Sequence, residues 1–395
     1  MSQPLVIDDD DRYSRLRLIS WWDQEKLKAA KVLVVGAGAL GNEVLKNLAL
    51  LGIGRIWAVD FDQIENSNLT RSVLFRARDK GRYKADAAAD ALHDINPDCR
   101  VTPLACNIIT DIGLGLFRDV DVVIGCLDNR EARLWVNRQC WKVGTPWIDG
   151  GIQEISGVVK VFTPPESACY ECAMTENDYR LINLRYSCPL LSQDDLSRGR
   201  VPTAPTISSM IAGLQTQEAL KLLHGMAVSA GQALVFSGIT NQFYSTQLPF
   251  KEDCLSHDMW PEPIELPLRA AEATAEQLFA AARRSGLGLT EPESGQALTY
   301  RLELERDLVA SLTCHACGRT RKIMRPQQLV KHKEAACECG QTAVPLLVNS
   351  VDAGDENSSE KLSSLGIPPY DIVRVSCGEE EQAFLLAGDK RANDE

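Results

Sequence analysis

KVLVVGAGALGNEVLKNL, residues 31–48, decides the fold. KVLVV is short and β-rich, the composition of a buried strand. Gly36, Gly38 and Gly41 follow with GxGxxG spacing. Leu40, Val44, Leu45, Leu48 and Leu51 then recur at helical spacing, and Gly52 stops the helix. A strand that turns through glycines into a helix leaves backbone amides at the helix N-terminus, where a phosphate can approach closely. The pattern does not separate the pyrophosphate of NAD or FAD from the triphosphate of ATP.

The same alternation continues on the C-terminal side. RIWAVD (55–60) reads as a strand ending in an acid, and Lys84 to Leu92 as a helix ended by Asn96-Pro97. CRVTPLA (99–105) and DVVIGC (121–126) read as strands, Glu131 to Val143 as a helix, Pro146 to Asp149 as a short strand, and GVVKVF (157–162) as a strand bounded by Pro164-Pro165. This order predicts an α/β domain, a Rossmann-like mixed and mostly parallel sheet with helices on both faces. From 168 to 204 the pattern breaks into a long polar stretch, and segments of that kind are often functional. Helical periodicity returns over 206–225, with His224-Gly225 as a C-cap, and VFSG and QFYSTQL read as paired strands.

Near residue 258 the composition shifts. WPEPIELP is Pro-rich, Ala270 to Arg284 is an Ala-rich helix, and 296–345 holds short strands around four cysteines. YDIVRV and AFLLAG read as two last strands. The expected layout is a helical arm over 1–30, the nucleotide domain over 31–257, a linker with a helix over 258–295, and a small α+β module over 296–395.

The totals set limits. With 45% hydrophobic and 24% charged residues, the 395-residue chain has the make-up of a globular protein with a sizeable core. A net charge of −12 disfavours broad affinity for nucleic acid or anionic membranes. MSQPLVIDDDDR has neither a basic nor an apolar leader region, and no apolar run reaches the length of a membrane span, so a cytoplasmic chain is expected. In that compartment the 13 cysteines call for a metal or redox reading before disulfides. Cys106, Cys126 and Cys140 stand alone in apolar surroundings and read as small hydrophobes.

Several polar residues bear on which nucleotide is bound. Asp60 ends a strand 19 residues after Gly41, where an acid accepts ribose hydroxyls of NAD or ATP alike. After it come Asn68 and Arg71 in SNLTRS, Lys84 on the first turn of a helix, and Asp128 at the end of a strand in CLDN; Arg12 and Arg15 lie upstream. A nicotinamide enzyme has no need of such a set beside the phosphates. A triphosphate does, because fixed cations neutralise it and a carboxylate holds Mg²⁺.

With RYSR, GAGALG, VDFD, SNLTR, the lysine of GRYKAD, CLDN, a CxxC pair and the helix AGLQTQEALKLL, the chain over about residues 10–260 resembles the ThiF/MoeB/E1 adenylating enzymes. That family activates the C-terminal glycine of ubiquitin-like or sulfur-carrier proteins. The resemblance implies that Asn68, Arg71, Lys84 and Asp128 bind Mg·ATP together with the glycine loop and the acids of VDFD, Asp60 and Asp62. It also implies a homodimer in which Arg15 reaches the neighbouring subunit's triphosphate. Two departures are visible: Ala39 stands where GGLG has its second glycine, and Leu16 follows RYSR in place of a common Gln.

The cysteines extend this reading. Cys169-Tyr-Glu-Cys172 reads as a zinc half-site, and the family supplies a second CxxC near the end of the domain. Here that place holds Cys254-Leu-Ser-His257, giving a Cys₃His set. Cys314-His-Ala-Cys317 and Cys337-Glu-Cys339 read as two knuckles of a zinc ribbon that the family core lacks. Cys188 is the unpaired cysteine of the polar stretch. Enzymes of the E1 type often pass the adenylated carrier to a cysteine there, and Arg185 and Arg198 would favour its thiolate.

Two functions within this chemistry follow. One is an activating enzyme that hands a small ubiquitin-like, β-grasp protein from Cys188 to an E2-like conjugating enzyme; the other is a sulfur-carrier adenylyltransferase without a thioester. The extra zinc module suggests protein docking, and no rhodanese-like domain is recognisable, so conjugation is favoured. From other classes, an NAD(P)-dependent oxidoreductase conflicts with the Asn, Arg, Lys and Asp set. A catalytically dead zinc adaptor conflicts with its completeness.

Overall fold

A computed structural model describes residues 10–187, 202–288 and 299–390. Two compact units result, each with its own core. Among the described residues, the first comprises 10–108, 117–175 and 202–258, and the second 109–116, 176–187, 259–288 and 299–390.

In the first unit, helix α1 (Gln24–Ala29) leads into β1 (Lys31–Val35), α2 (Ala39–Leu51), β2 (Arg55–Val59), α3 (Lys84–Ile95), β3 (Arg100–Leu104) and, after the short helix α4 (Leu114–Asp119), whose first residues fall in the second unit, β4 (Val122–Gly125). Then come α5 (Arg130–Val143), β5 (Trp147–Gln153) and β6 (Ser156–Phe162). After α6 (Glu176–Ser187), which falls in the second unit, come α7 (Pro205–His224), β7 (Gln232–Ser237) and β8 (Gln242–Gln247). Strand order is β3-β2-β1-β4-β5-β6-β7-β8. The first five strands run parallel and the last three antiparallel. This is the mixed Rossmann-like sheet expected from the alternation. The order reverses between β1 and β4, so the carboxyl ends of those strands frame a crevice, the usual ligand position in such sheets.

Each helix boundary has a local cause. Helix α2 ends because Gly52 adopts φ +77°, and α7 because Gly225 adopts φ +72°. Asn129 caps α5 by accepting from the Ala132 amide at 2.8 Å. The core joins Val32 and Val34 of β1, Val44, Leu45 and Leu48 of α2, Ile124 of β4, and Ile207 and Ile211 of α7. Among the described residues no helix is long and apolar enough to cross a membrane.

The second unit holds a six-stranded sheet. β9 (Ile264–Leu266) precedes α8 (Ala275–Arg284). The remaining strands are β10 (Tyr300–Thr313), β11 (Thr320–Pro326), β12 (Val344–Asp352), β13 (Ile372–Cys377) and β14 (Glu380–Leu386), with the short helix α9 (His332–Ala335) after β11. They order as β11-β10-β13-β14-β9, and β12 also pairs β10. Helix α8, read from the sequence as part of a linker, buries Leu278, Phe279 and Ala282 in a core with Leu302, Val375 and Phe384. The polar stretch from 168 contains α6, whose ENDYRLINLRYS has too weak an apolar period to announce a helix.

One buried residue fixes the turn into α2. Asn42, fully shielded, donates to the carbonyls of Ala37 (2.7 Å) and Gly38 (3.1 Å) and accepts from the Leu74 amide at 2.9 Å. Asn42→Ala strands two buried groups, the Ala37 carbonyl and the Leu74 amide, at about 1–3 kcal/mol each. A urea titration is expected to show a loss of about 2–4 kcal/mol at an unchanged slope.

Candidate nucleotide site and cysteine clusters

The glycine loop is built by close contact. A Cβ on Gly36, whose φ is +97°, would lie 2.5 Å from the Cys126 carbonyl oxygen, and one on Gly41 would lie 1.9 Å from the Gly36 oxygen. Glycine is obligatory at both positions. At Gly38 an added Cβ would meet no atom within 4 Å, so this point of the loop faces open space. Helix α2 starts there with no side-chain cap and no acid in its first turn. Its first amides and the positive end of its dipole are therefore left for an outside anion.

Asp60, at the end of β2, braces the loop. One carboxylate oxygen accepts from the Ala37 amide and the other from the Asp62 amide, both at 2.8 Å. Burial raises its pKa, while the nearby Lys84 charge and these two amides oppose the rise. Lys84 begins α3 as expected, with its side chain largely buried and its ammonium 2.7 Å from Asp62. Asp62 thus holds Lys84, a pairing the sequence did not indicate. Asn68 and Arg71 lie on one turn. Asn68 accepts from the Glu65 amide at 2.9 Å, and the Arg71 guanidinium donates to the Ser67 carbonyl at 2.7 Å. Asp128 is exposed just beyond β4, next to the helix cap Asn129. Arg15 is exposed on the arm, where it precedes a 3₁₀ turn over Leu16–Leu18. The neighbouring Tyr13 is buried, its hydroxyl accepting from Asn96 at 2.7 Å. Cys188 and Arg198 lie outside the described residues.

Behind the loops stands a layer the sequence reading missed. Arg133 on α5 donates to Asp149 on β5 at 2.9 Å and to the Leu127 carbonyl at 2.6 Å. Gln215 on α7, fully buried, donates to the carbonyls of Gly125 (2.9 Å) and Ile148 (3.3 Å). The available signal was Asp149 itself, a strand-end acid like Asp60 in an otherwise apolar run. Cys126, beside Gln215, has its thiol pushed up by burial and by the Asp149 charge, which disfavours the thiolate.

Both cysteine sets close up as the spacings suggested. Cys169 Sγ lies 3.7 Å from Cys172 Sγ and 3.6 Å from Cys254 Sγ, and Cys172 Sγ lies 3.4 Å from His257 Nε2. In the second set Cys314 and Cys339 are 3.5 Å apart, and Cys317 and Cys337 3.6 Å. Within each set all four ligand atoms lie within 4.8 Å of one another. Tetrahedral zinc with Zn–S bonds of about 2.3 Å sets its sulfurs about 3.8 Å apart, so both sets fit the ion. His257 is stacked on Trp141 at 4.1 Å between ring centroids and 10° between planes. A hydrogen bond with Cys254 and one with Asn137 hold the Cys169 thiol down at about 5. The Cys317 amide does most to hold Cys314 down at about 6. Thiol–thiol contacts within each set raise their partners Cys254 and Cys339, so each set pairs a thiolate with thiols whose protons a metal would displace. Gly318 (φ +73°) and Gly340 (φ +84°) turn the chain after the two knuckles of the second set.

Comparison with known proteins places this geometry. The model of the ThiF family matches residues 11–256. The chain belongs to that family. It is 32% identical over 251 residues to the molybdopterin-synthase adenylyltransferase of Salmonella typhimurium, a match covering 62% of this chain and 94% of that protein. It is 31% identical over 247 residues to the ubiquitin-like modifier-activating enzyme 5 of rice, covering 56% of this chain and 55% of that one. The chain therefore spans only about half the length of this plant relative. Among solved structures, E. coli MccB crystallised with ATP matches at 28% identity and a TM-score of 0.53, covering 63% of this chain and 74% of MccB. The family match ends at residue 256, before most of the second unit.

Purified protein is expected to hold two zinc ions per chain by elemental mass spectrometry, one for each set. Cys254→Ser with His257→Ala should remove one, and Cys314→Ser with Cys317→Ser the other. A ratio that the paired substitutions leave unchanged would refute the assignment.

Proposed function

We propose that this ThiF-family chain uses Mg·ATP to adenylate the C-terminal glycine carboxylate of a small ubiquitin-like or sulfur-carrier protein. The observation that carries the reading is the uncapped start of α2 at an open Gly38, facing the crevice where the strand order reverses, with exposed Asp128 on the adjoining loop. A triphosphate fits this donor set. The α2 amides would hold phosphate oxygens, Asp60 would accept the ribose hydroxyls, and Asn68, Arg71 and Lys84 would bind and neutralise the polyphosphate. Arg15 is assigned to the triphosphate of a neighbouring subunit in a homodimer. Asp128 would hold Mg²⁺, which would supply a divalent charge to neutralise the polyphosphate.

The reaction makes few demands on the protein. An α-carboxylate has a pKa near about 3.5 and is ionised at neutral pH, so attack on the α-phosphorus needs no general base. The carboxylate oxygen bonds to phosphorus, the α–β bridging bond breaks, and pyrophosphate leaves. What the chain contributes is in-line placement and cationic side chains where negative charge grows.

For the next step we favour transfer to Cys188: its thiolate attacks the acyl carbon, AMP departs, and the thioester passes to an E2-like conjugating enzyme recruited through the second unit. The zinc-binding module in that unit supports this choice, as a surface for protein docking. A second reading, adenylation without a thioester, is supported by the bacterial relative that the match covers over 94% of its length.

Two measurements test these readings. Asp128→Ala is expected to reduce ATP–pyrophosphate exchange by at least about 100-fold; exchange at the wild-type rate would refute the site. With a β-grasp carrier and Mg·ATP, non-reducing mass spectrometry should show a thiol-labile adduct that Cys188→Ser abolishes. An AMP adduct alone would establish the second reading.

A further inference from the structure

Asp128 has to be held for its assigned task, yet it is exposed and its own described hydrogen bond, from the Asn129 side chain, is 3.3 Å long. What holds it lies one peptide back. The Leu127 carbonyl accepts from the Arg133 guanidinium at 2.6 Å. That carbonyl shares a rigid peptide plane with the Asp128 amide, so fixing its oxygen fixes the direction in which the chain enters Asp128.

Arg133 is fastened on two further points. Its Nε donates to Asp149 Oδ1 at 2.9 Å, and its Nη2, besides Leu127, reaches the Gly150 carbonyl at 3.1 Å. The fork geometry of arginine serves all three acceptors at once, which the point charge of lysine does not. Asp149 is 2% exposed and pairs in register with Gly125 at the end of β4, so the anchor belongs to the sheet itself. Gln215 braces the same two strands, and Gly150 makes room for it: an added Cβ there would lie 2.4 Å from the Gln215 side chain. The loop's other end is tied to β1, where the Cys126 amide donates to the Val35 carbonyl at 2.8 Å.

We propose that Arg133, anchored by Asp149, is a positioning residue that sets the Asp128 carboxylate for the divalent cation of the nucleotide. This inference rests on the adenylation reading, and in particular on Asp128 as the cation's ligand. Arg133 touches neither nucleotide nor metal. Groups that orient a metal ligand from behind typically change metal affinity by about 10–100-fold when altered.

The test uses the full-length protein with Arg133→Lys and, separately, Asp149→Asn. The lysine keeps the charge but not the fork, and the asparagine keeps an acceptor but not the charge. Three readings are taken: the Mg²⁺ concentration giving half-maximal ATP–pyrophosphate exchange at saturating ATP, the exchange rate at saturating Mg²⁺, and Mn²⁺ affinity by electron paramagnetic resonance with a non-hydrolysable ATP analogue bound. Both variants are expected to need about tenfold more Mg²⁺ and to bind Mn²⁺ about tenfold more weakly. Their rates at saturating Mg²⁺ should recover to within about threefold of wild type. A merely structural Arg133 would lower the rate and the melting temperature together and leave the cation requirement unchanged, which would overturn the proposal. So would wild-type Mn²⁺ affinity in both variants. Should Arg133→Lys fail to fold, Asp149→Asn alone decides. A wild-type protein with neither exchange nor nucleotide-dependent Mn²⁺ binding would overturn the adenylation reading itself; normal wild-type values with unaltered variants overturn only the role of Arg133.

Discussion

The candidate site depends on the approach of two loops. Gly36 and Cys126 follow adjacent parallel strands, and a Cβ on Gly36 would come within 2.5 Å of the Cys126 oxygen. Contact this tight is possible only where one side has no side chain. It closes the sheet at the point where strand order reverses and leaves the α2 amides and Asp128 on neighbouring lips of one crevice. Four side chains support that contact. Asn42 ties the glycine turn from within, Asp60 ties it from β2, and Gln215 and Arg133 tie the second lip.

Much of this was legible because short-range rules produce it. The strand–glycine–helix order, the helix ends at Gly52 and Gly225, and each cysteine half-site follow from residue type at fixed spacing, while the meeting of Cys169 and Cys172 with Cys254 and His257 was expected from the family resemblance. The supporting layer was not legible, because its partners are far apart in sequence and ordinary in type. Arg133 reads as one more arginine on a helix until Asp149 is placed beside it, and Gln215 as one more polar residue of AGLQTQEALKLL. Asp62, grouped with the nucleotide ligands, also receives the Lys84 ammonium. Only the fold reveals that partner.

Helix α5 has a role at each end. Its first turn carries Arg133 behind the crevice, and one turn on Asn137 accepts from the Tyr170 amide at 2.9 Å and donates to Ser256 at 2.8 Å. Arg138 reaches buried Glu171 at 2.6 Å, and Trp141 stacks on His257. The residues on either side of the first cysteine set are thus fastened to the helix whose cap adjoins Asp128. A metal held by this set would help fix the axis of α5, and the histidine that stands in place of a fourth cysteine is matched by a flat aromatic wall for its imidazole.

The second unit shows how a segment can belong to a core far from it in sequence. Residues 109–116 lie within the expected nucleotide domain over 31–257, yet they fold with the C-terminal strands. Asp371 accepts from the Leu114 amide at 2.7 Å, and Arg306 donates to the carbonyls of Ile109 and Gly366. Gly113 and Gly115 allow the approach, since a Cβ at either would come within about 2.5 Å of the Pro369 or Tyr370 oxygen. Burial pushes the Asp371 carboxyl up to about 6, and the Arg306 charge works against that rise. A buried pair of this kind adds little net stability when intact, but removing one partner strands a charge and is costly. Because its acceptors include the 109–116 backbone, the C-terminal strands are not complete without that segment. A chain cut at residue 258 would therefore separate elements that share one core, although the composition changes at that point.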